Sequence, residues 1–238
     1  MPLFFGYGYY NLLYFIFGLP ALLLGLYAQF KVRSAYSQYS RVPNDRRITG
    51  LEAARYLLGS SGLGHVGVEG TPGQLTDHYD PRSKTLRLSE GVARSNSVAA
   101  LGIVAHEVGH AQQDAMAYAP LRWRSALVPV ANLGSYLGPI IFFAGLFLLG
   151  SYDLALIGVL VFAAAAVFAL VTLPVELNAS KRALALLQAS GLAVSASEQR
   201  GVKSVLSAAA LTYVAAVAQA LSTLLYYVFL LSGARRRD

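Results

Sequence analysis

Cysteine is missing from all 238 residues, and its absence removes disulfides, thiolate zinc sites and cysteine nucleophiles from consideration. Charge is sparse too: Asp, Glu, Lys and Arg together make up 13% of the chain, against 55% hydrophobic residues. That balance, with a mean hydropathy of +0.50, belongs to a membrane helix bundle with a modest polar part rather than to a soluble domain. Histidine occurs only four times, so a transition-metal site has to be assembled from those four and from carboxylates. The net charge of +7 is dispersed between apolar spans and forms no long basic tract. No nucleic-acid partner is therefore expected; such a distribution reports membrane topology and contact with the anionic headgroups of a lipid bilayer.

What the chain has in quantity is long apolar runs. Four of them, near 3–30, 127–149, 154–175 and 208–231, reach the roughly 20 residues that cross a hydrocarbon core of about 30 Å. Nothing basic precedes the first run and no clear small-residue cleavage site follows it, so it reads as an uncleaved anchor rather than a secretion signal. Tyr7, Tyr9, Tyr10, Tyr226 and Tyr227 fall near span ends, at the headgroup level that amphipathic rings prefer. Ser151-Tyr152-Asp153 alone separate the second and third runs, which predicts a tight transmembrane hairpin. Gly134 and Gly138 match a GxxxG helix-contact pattern. The expected fold is mainly α, a polytopic membrane protein of about four transmembrane helices.

Between the first two runs lies a polar segment, roughly 31–125. Thr49 and Glu52 are spaced as a capping box ahead of LEAARYLL, and Gly59 is placed as that helix's C-terminal stop. HVGVEG and LTDHYDPRSKTLRLSE then alternate apolar and polar residues about Asp80-Pro81-Arg82-Ser83-Lys84, the pattern of a β-hairpin with a Pro-containing turn. From Ser97 to about Ala117 the spacing predicts a helix with Val98, Leu101, Val104, Ala105 and Val108 on its apolar face. After the third run, 176–206 reads as amphipathic and helical with a break at Gly191.

The helix from Ser97 carries IVAHEVGHA. His106 and His110, four residues apart, stack on one face and can both offer an imidazole nitrogen to one ion. Glu107 projects beside them, where a carboxylate accepts a proton from a metal-bound water without being a ligand. Zinc suits this set, since it takes nitrogen and carboxylate ligands tetrahedrally and acidifies its water to a pKa of about 7. In a chain of this composition a chance H-[ED]-x-x-H match is expected about 0.003 times, so two ordinary helix histidines are the weaker reading. Gly109 permits close packing, though glycine weakens a helix interior by about 1 kcal/mol.

Two histidines leave a catalytic zinc one protein ligand short. His65, His78, Asp77, Asp80, Asp114 and Glu176 are the candidates. Asp114 is four residues beyond His110, too far along the axis to reach an ion between the histidines, and fits a supporting role. His65, in GLGHVGV, reads as a loop or strand residue. Glu176 is favoured: it stands at the polar end of the third run, where Pro174 allows a kink, and a carboxylate at a membrane boundary needs a partner. Two crossings lie between His106 and Glu176, so both end on the same side.

HEVGHAQQD, with DHYDPRSKTLRLSEGV upstream and LPVELNASKRA downstream, resembles the YugP-type neutral zinc metallopeptidases, a bacterial membrane family. The resemblance covers most of the chain, from the first anchor through Arg182. More distantly the chain is similar to the HtpX-type gluzincins, where a transmembrane hairpin also separates the HExxH helix from the third-ligand helix. The resemblance implies a zinc endopeptidase with one Zn2+ per chain, held by His106, His110 and Glu176, and with Glu107 as general base and later general acid. In HtpX-type enzymes an ExxxD motif supports the site. Here Ser180 stands in the aspartate's place, a weaker acceptor, and Asp114 becomes an alternative support. The resemblance also implies a zincin-like α+β catalytic part. LTDHYDP or TLRLSE would be its edge strand for an extended substrate, and His78, Tyr79 or, less directly, Arg182 would stabilise the oxyanion. The chain then divides into an anchor (1–30), a catalytic part (31–125), a transmembrane hairpin (126–175), a third-ligand helix (176–207) and a last transmembrane helix with a basic tail (208–238).

Lys and Arg at positions 31, 33, 122, 124, 181 and 182 flank the spans on the motif's side. By the positive-inside rule this sets the active site at the cytoplasmic face of a bacterial cell membrane; Arg235-Arg236-Arg237, four crossings away, pull the other way. Membrane or membrane-proximal polypeptides are the expected substrates, in quality control or processing. One competing reading is a non-catalytic, zinc-stabilised scaffold or assembly factor, which would have no need of Glu107 and usually fills all four zinc positions with protein ligands. Another is a small transporter, which would carry charge deep within a span, whereas Glu176 and Asp153 lie near span ends.

Overall fold

A computed structural model describes residues 3–193 and 195–234, with side chains from 15 to 193 and from 195 to 233. The tail Arg235-Arg236-Arg237 lies outside the described residues, as do the side chains of Tyr7, Tyr9 and Tyr10. The elements run α1 (Leu3–Tyr39), α2 (Gly50–Ser60), β1 (Gly67–Thr71), β2 (His78–Asp80), β3 (Thr85–Ser89), α3 (Glu90–Ala93), α4 (Val98–Ala115), α5 (Ala119–Phe143), a π-helical turn (Ala144–Leu148), α6 (Tyr152–Ala189) and α7 (Ala196–Ala234).

Among the described residues four helices are long and apolar enough to cross a membrane: Phe15–Tyr39, Ala119–Leu148, Tyr152–Ala189 and Ala196–Gly233. The protein is thus mainly α and polytopic, as its apolar runs predict. The helices overrun those runs, because helical structure continues into the polar flanks. α6 passes through Pro174 without a boundary at 176, and α7 absorbs the amphipathic piece beyond Gly191. The link before α6 is Leu149-Gly150-Ser151 rather than Ser151-Tyr152-Asp153, with Gly150 at φ +59° supplying the left-handed residue.

The chain forms two compact units. The first comprises Met1–Tyr27, Trp123–Leu173 and Thr212–Asp238. Lipid is as apolar as leucine, so its helices associate through close packing rather than through the hydrophobic effect. A Cβ on Gly134 would stand 2.5 Å from the Val161 carbonyl oxygen, and one on Gly138 would stand 2.7 Å from the Phe162 Cβ. Both glycines of the GxxxG pattern therefore face α6 at backbone distance. Tyr226 and Tyr227 are buried in this unit's core, Tyr227 stacked on Phe142 at 4.4 Å.

The second unit comprises Ala28–Arg122 and Pro174–Leu211. Thr49 and Glu52 form the capping box of α2. That helix outlasts Gly59; Ser61 caps it and Gly62, at φ +72°, ends it. β2 and β3 make the expected hairpin, pairing His78 with Arg87 and Asp80 with Thr85. Its turn is closed by Asp80, which accepts from the Arg82 N–H at 2.9 Å and the Ser83 hydroxyl at 2.8 Å. Those bonds, with Arg87, hold the Asp80 carboxyl down at about 2. β1 adds to the other side of β3 in parallel, Gly67 opposite Thr85, giving the order β1-β3-β2. β3 is therefore central, and TLRLSE cannot be a free edge. Its Leu86 and Leu88 pack with Leu57 of α2, with Leu101, Val104 and Val108 of α4, and with Leu187 of α6. Each such side chain contributes about 1.5–3 kcal/mol by leaving water. Ser97 caps α4 by accepting from the Ala100 N–H, and all five apolar residues expected on its inner face are buried.

Candidate metal centre

The apolar face of α4 fixes the helix against the sheet and α2, and this orientation turns His106 and His110 toward α6. The approach of the two helices is set at Gly109, where a Cβ would lie 2.6 Å from the carbonyl oxygen of Ala179. Any larger residue there would push α6 away. At this spacing Glu176, three residues before Ala179, reaches both histidines. Its Oε2 lies 3.1 Å from the His106 Nε2 and 3.4 Å from the His110 Nε2, and the candidate donor atoms of the three residues lie within 4.8 Å of one another.

These separations test the fit of a zinc ion. A tetrahedral site with bonds of about 2.0–2.1 Å has ligand-to-ligand edges of about 3.3 Å, which is what the two Nε2-to-Oε2 distances give. The donors, two imidazoles and a carboxylate, are of the type zinc accepts at a catalytic centre. Glu176 is only 2% exposed, and a carboxylate so far from water needs cationic or hydrogen-bonding partners. The residues present fit the ion.

The outer nitrogens of the imidazoles are held as well. The His106 Nδ1 meets the Ser180 hydroxyl at 3.2 Å. The His110 Nδ1 meets the Gln113 Oε1 at 2.9 Å. Gln113 is fully buried, and its amide nitrogen donates to the Val175 carbonyl at 2.8 Å and to the Asn178 Oδ1 at 3.0 Å. The same Asn178 oxygen accepts from the Arg182 Nε at 2.8 Å. Arginine has only donors, so it fixes the Asn178 amide, which fixes the Gln113 amide, which obliges the His110 Nδ1 to carry a proton. The lone pair of His110 is left on Nε2, facing Glu176. Gln113 and Asn178 escape a reading of the sequence because amides mark no pattern; the available signal was the placement of Gln113 three residues after His110, on the same helical face.

Glu107 points into the protein on the sheet side. One of its oxygens accepts the main-chain N–H of Tyr79 at 3.0 Å, which binds β2 to α4. Burial pushes its carboxyl up to about 7; His106 pulls it down and Glu176 pushes it further up. Asp114 holds neither histidine. It accepts the Tyr79 hydroxyl at 2.6 Å and the Lys84 ammonium at 2.5 Å, tying the hairpin to the end of α4, and burial together with that bond raises the Tyr79 hydroxyl above its usual range. Asp77 accepts from the N–H and hydroxyl of Ser89, and burial raises it as well.

The remaining sequence candidates lie outside the cluster of His106, His110 and Glu176. The His78 Nδ1 meets the Thr76 carbonyl at 2.8 Å on an exposed side chain, Arg182 extends to the Met116 sulfur besides Asn178, and His65 is exposed ahead of β1.

No solved structure gives a significant match to the chain. It is similar to the "Putative membrane protease YugP" of Bacillus subtilis (strain 168), with 44% identity over 224 residues, covering 94% of this chain and 99% of that relative. The family model described as "Putative neutral zinc metallopeptidase" matches residues 14–232, from within α1 to near the end of α7, and the chain belongs to that family.

Proposed function

We propose that the protein is a membrane-embedded zinc-dependent endopeptidase in which His106, His110 and Glu176 hold one Zn2+ per chain and Glu107 moves the proton. The observation that carries this reading is the convergence of two imidazole Nε2 atoms on one Glu176 oxygen, at 3.1 and 3.4 Å, with a buried carboxyl on the adjoining residue. Zinc bound there would supply Lewis-acid polarisation of the scissile carbonyl and a water that ionises near a pH of about 7.

The chain's own residues do the rest. Glu107 takes a proton from the attacking water and returns it to the departing amine. Burial pushes that carboxyl up, to about 7 without an ion's charge beside it, and a raised carboxyl keeps the protonated form within reach for returning the proton. The Tyr79 N–H fixes the orientation of that carboxyl. Ser180 and Gln113 hold the imidazoles, so no side-chain freedom has to be lost when the ion enters. We set the extended substrate beside β2, the strand that meets Glu107, with main-chain hydrogen bonds supplying affinity.

Four candidate membrane spans among the described residues and a relative described as a membrane protease support membrane or membrane-proximal polypeptides as substrates, in quality control or processing. The cations at positions 31, 33, 122, 124, 181 and 182 support a cytoplasmic-facing site in a cell membrane.

The test is Glu107→Gln in the purified chain, with zinc measured by elemental analysis and cleavage measured on an unfolded polypeptide and a membrane protein. Zinc is expected to stay at one per chain while cleavage falls by about 10²- to 10⁴-fold. Undiminished cleavage by the variant would overturn the mechanism, and absence of zinc from the wild type would overturn the reading.

A further inference from the structure

A groove of about 240 Å³ lies between α1 and α7 within the second unit, lined by Lys31, Ser34 and Gln38 on one side and Ser204 and Ser207 on the other. Every one of these five side chains can donate a hydrogen bond, one carries a permanent positive charge, and no carboxylate lines the groove. Arg33 and Lys203, neighbours in sequence of the lining residues, are exposed and add to the positive field. The walls are held by a core rather than by the groove's own contacts. Ala35 and Ala208, which also line it, pack with Val205 against Ala99 of α4.

The level of the groove along the two helices follows from their surfaces. On α1 the exposed side chains from Phe15 to Phe30, among them Leu19, Leu23 and Leu26, are apolar or aromatic except for Gln29 at the end of the stretch; from Lys31 onward they turn polar and cationic. On α7 the large apolar side chains are exposed from Val214 onward, while Lys203 and Ser207 are exposed just before. Both helices therefore pass from lipid-compatible to polar surface at the groove, which is where phospholipid headgroups lie. The volume falls below the roughly 300–1,000 Å³ of pockets that enclose drug-sized ligands. It admits a phosphate and its neighbouring oxygens, and leaves acyl chains to run along the exposed apolar face of α1.

We propose that this groove binds the headgroup phosphate of an anionic phospholipid, with Lys31 pairing to the phosphate and the hydroxyls and amide around it donating to its oxygens. The site is independent of the zinc reading and makes no use of the HEVGH residues.

The experiment uses the full chain purified in an uncharged detergent and titrated separately with short-chain phosphatidylglycerol, short-chain phosphatidylcholine and inorganic phosphate, with binding read by native mass spectrometry. Phosphatidylglycerol is expected to saturate at one per chain. Lys31→Gln should weaken it about fivefold, the effect of one cation at a membrane surface. Lys31→Arg should retain it, Ser207→Leu should abolish it by filling the groove, and Arg55→Gln, which removes the same charge from α2, should leave it unchanged. Equal binding by wild type and Lys31→Gln, or an equal loss in Arg55→Gln, would overturn the site. Phosphatidylcholine binding as tightly, or inorganic phosphate displacing the lipid at equal concentration, would overturn the anionic-lipid assignment.

Discussion

The two compact units bring helices to backbone contact by the same device and use it for different ends. In the first, glycines of α5 and α6 bury aromatic and aliphatic side chains: a Cβ on Gly158 would run into the Phe142 backbone, and Phe142 itself is fully buried. In the second, Gly109 lies on Ala179, and what meets across the contact is His106, His110, Glu176 and Ser180. Short side chains can share an ion across two helices only if the backbones are this close. The second unit consequently buries Glu107, His110, Gln113 and Glu176, groups that cost free energy unless paired. Among the described residues no buried side-chain polar atom lacks a partner. One unit is built for packing alone; the other uses its packing to converge donors.

That contrast is most severely tested at Glu176. Glu176→Ala deletes one of three converging donors and leaves two imidazoles without the carboxylate between them. Zinc is expected to fall well below one per chain with cleavage lost, measured by elemental analysis beside the wild type. Unchanged stoichiometry and affinity would remove Glu176 from the site. Gln113→Leu comes next. It keeps the volume but frees the His110 imidazole and leaves the Asn178 oxygen to Arg182, and metal affinity should drop about 10- to 100-fold, the usual cost of losing a group that orients a ligand. Competition with a chromogenic chelator measures this. Affinity equal to wild type would show that packing alone orients His110.

The two glycine contacts separate the units directly. Gly138→Ala should destabilise the chain by about 1–3 kcal/mol through overpacking, seen as a lower unfolding midpoint with zinc content unchanged. Gly109→Ala should instead weaken zinc binding by forcing Ala179 and Glu176 outward, although alanine is the better helix former by about 1 kcal/mol. If Gly138→Ala lost zinc and Gly109→Ala kept it, the division of labour between the units would be wrong.

How far the sequence reveals these features depends on the range of the interaction. The capping box at Thr49 and Glu52, the apolar face of α4 and the four spans rest on local spacing and are visible in the letters. Glu176 was within reach because an even number of crossings returns it to the side of His106. The Gln113–Asn178–Arg182 chain was not, since it joins α4 to α6 across 65 residues between Gln113 and Asn178 with no periodicity to betray it. The parallel pairing of β1 with β3 escaped for a similar reason: alternation predicts a strand but not its neighbour. The burial of Tyr226 and Tyr227 depends on which face of α7 meets Phe142, and amphipathic rings near a span end do not carry that information.

The smallest expected effect concerns the carboxyl that links the sheet to the metal centre. Burial raises Glu107 to about 7, and under the proposed mechanism it accepts the proton and so acts in the deprotonated form. The rate should therefore rise with pH and level off once Glu107 has ionised, with kcat/KM falling about tenfold per pH unit on the acid side. A bound dication would favour the carboxylate, so the limb in the zinc-loaded enzyme should lie at or below 7. A limb well above that value would assign the titration to another group. Asp77 offers a finer probe. It contributes an upward push on Glu107 and accepts hydrogen bonds from Ser89 at the end of β3, so Asp77→Asn removes a neighbouring negative charge while keeping an acceptor for Ser89. The limb should move to lower pH, by far less than burial has moved it upward, because burial is the largest cause and Asp77 the smallest. A shift to higher pH would mean that Asp77 does not act on Glu107 through charge, and a shift as large as that from burial would mean that the dry interior of the second unit is not what poises its base.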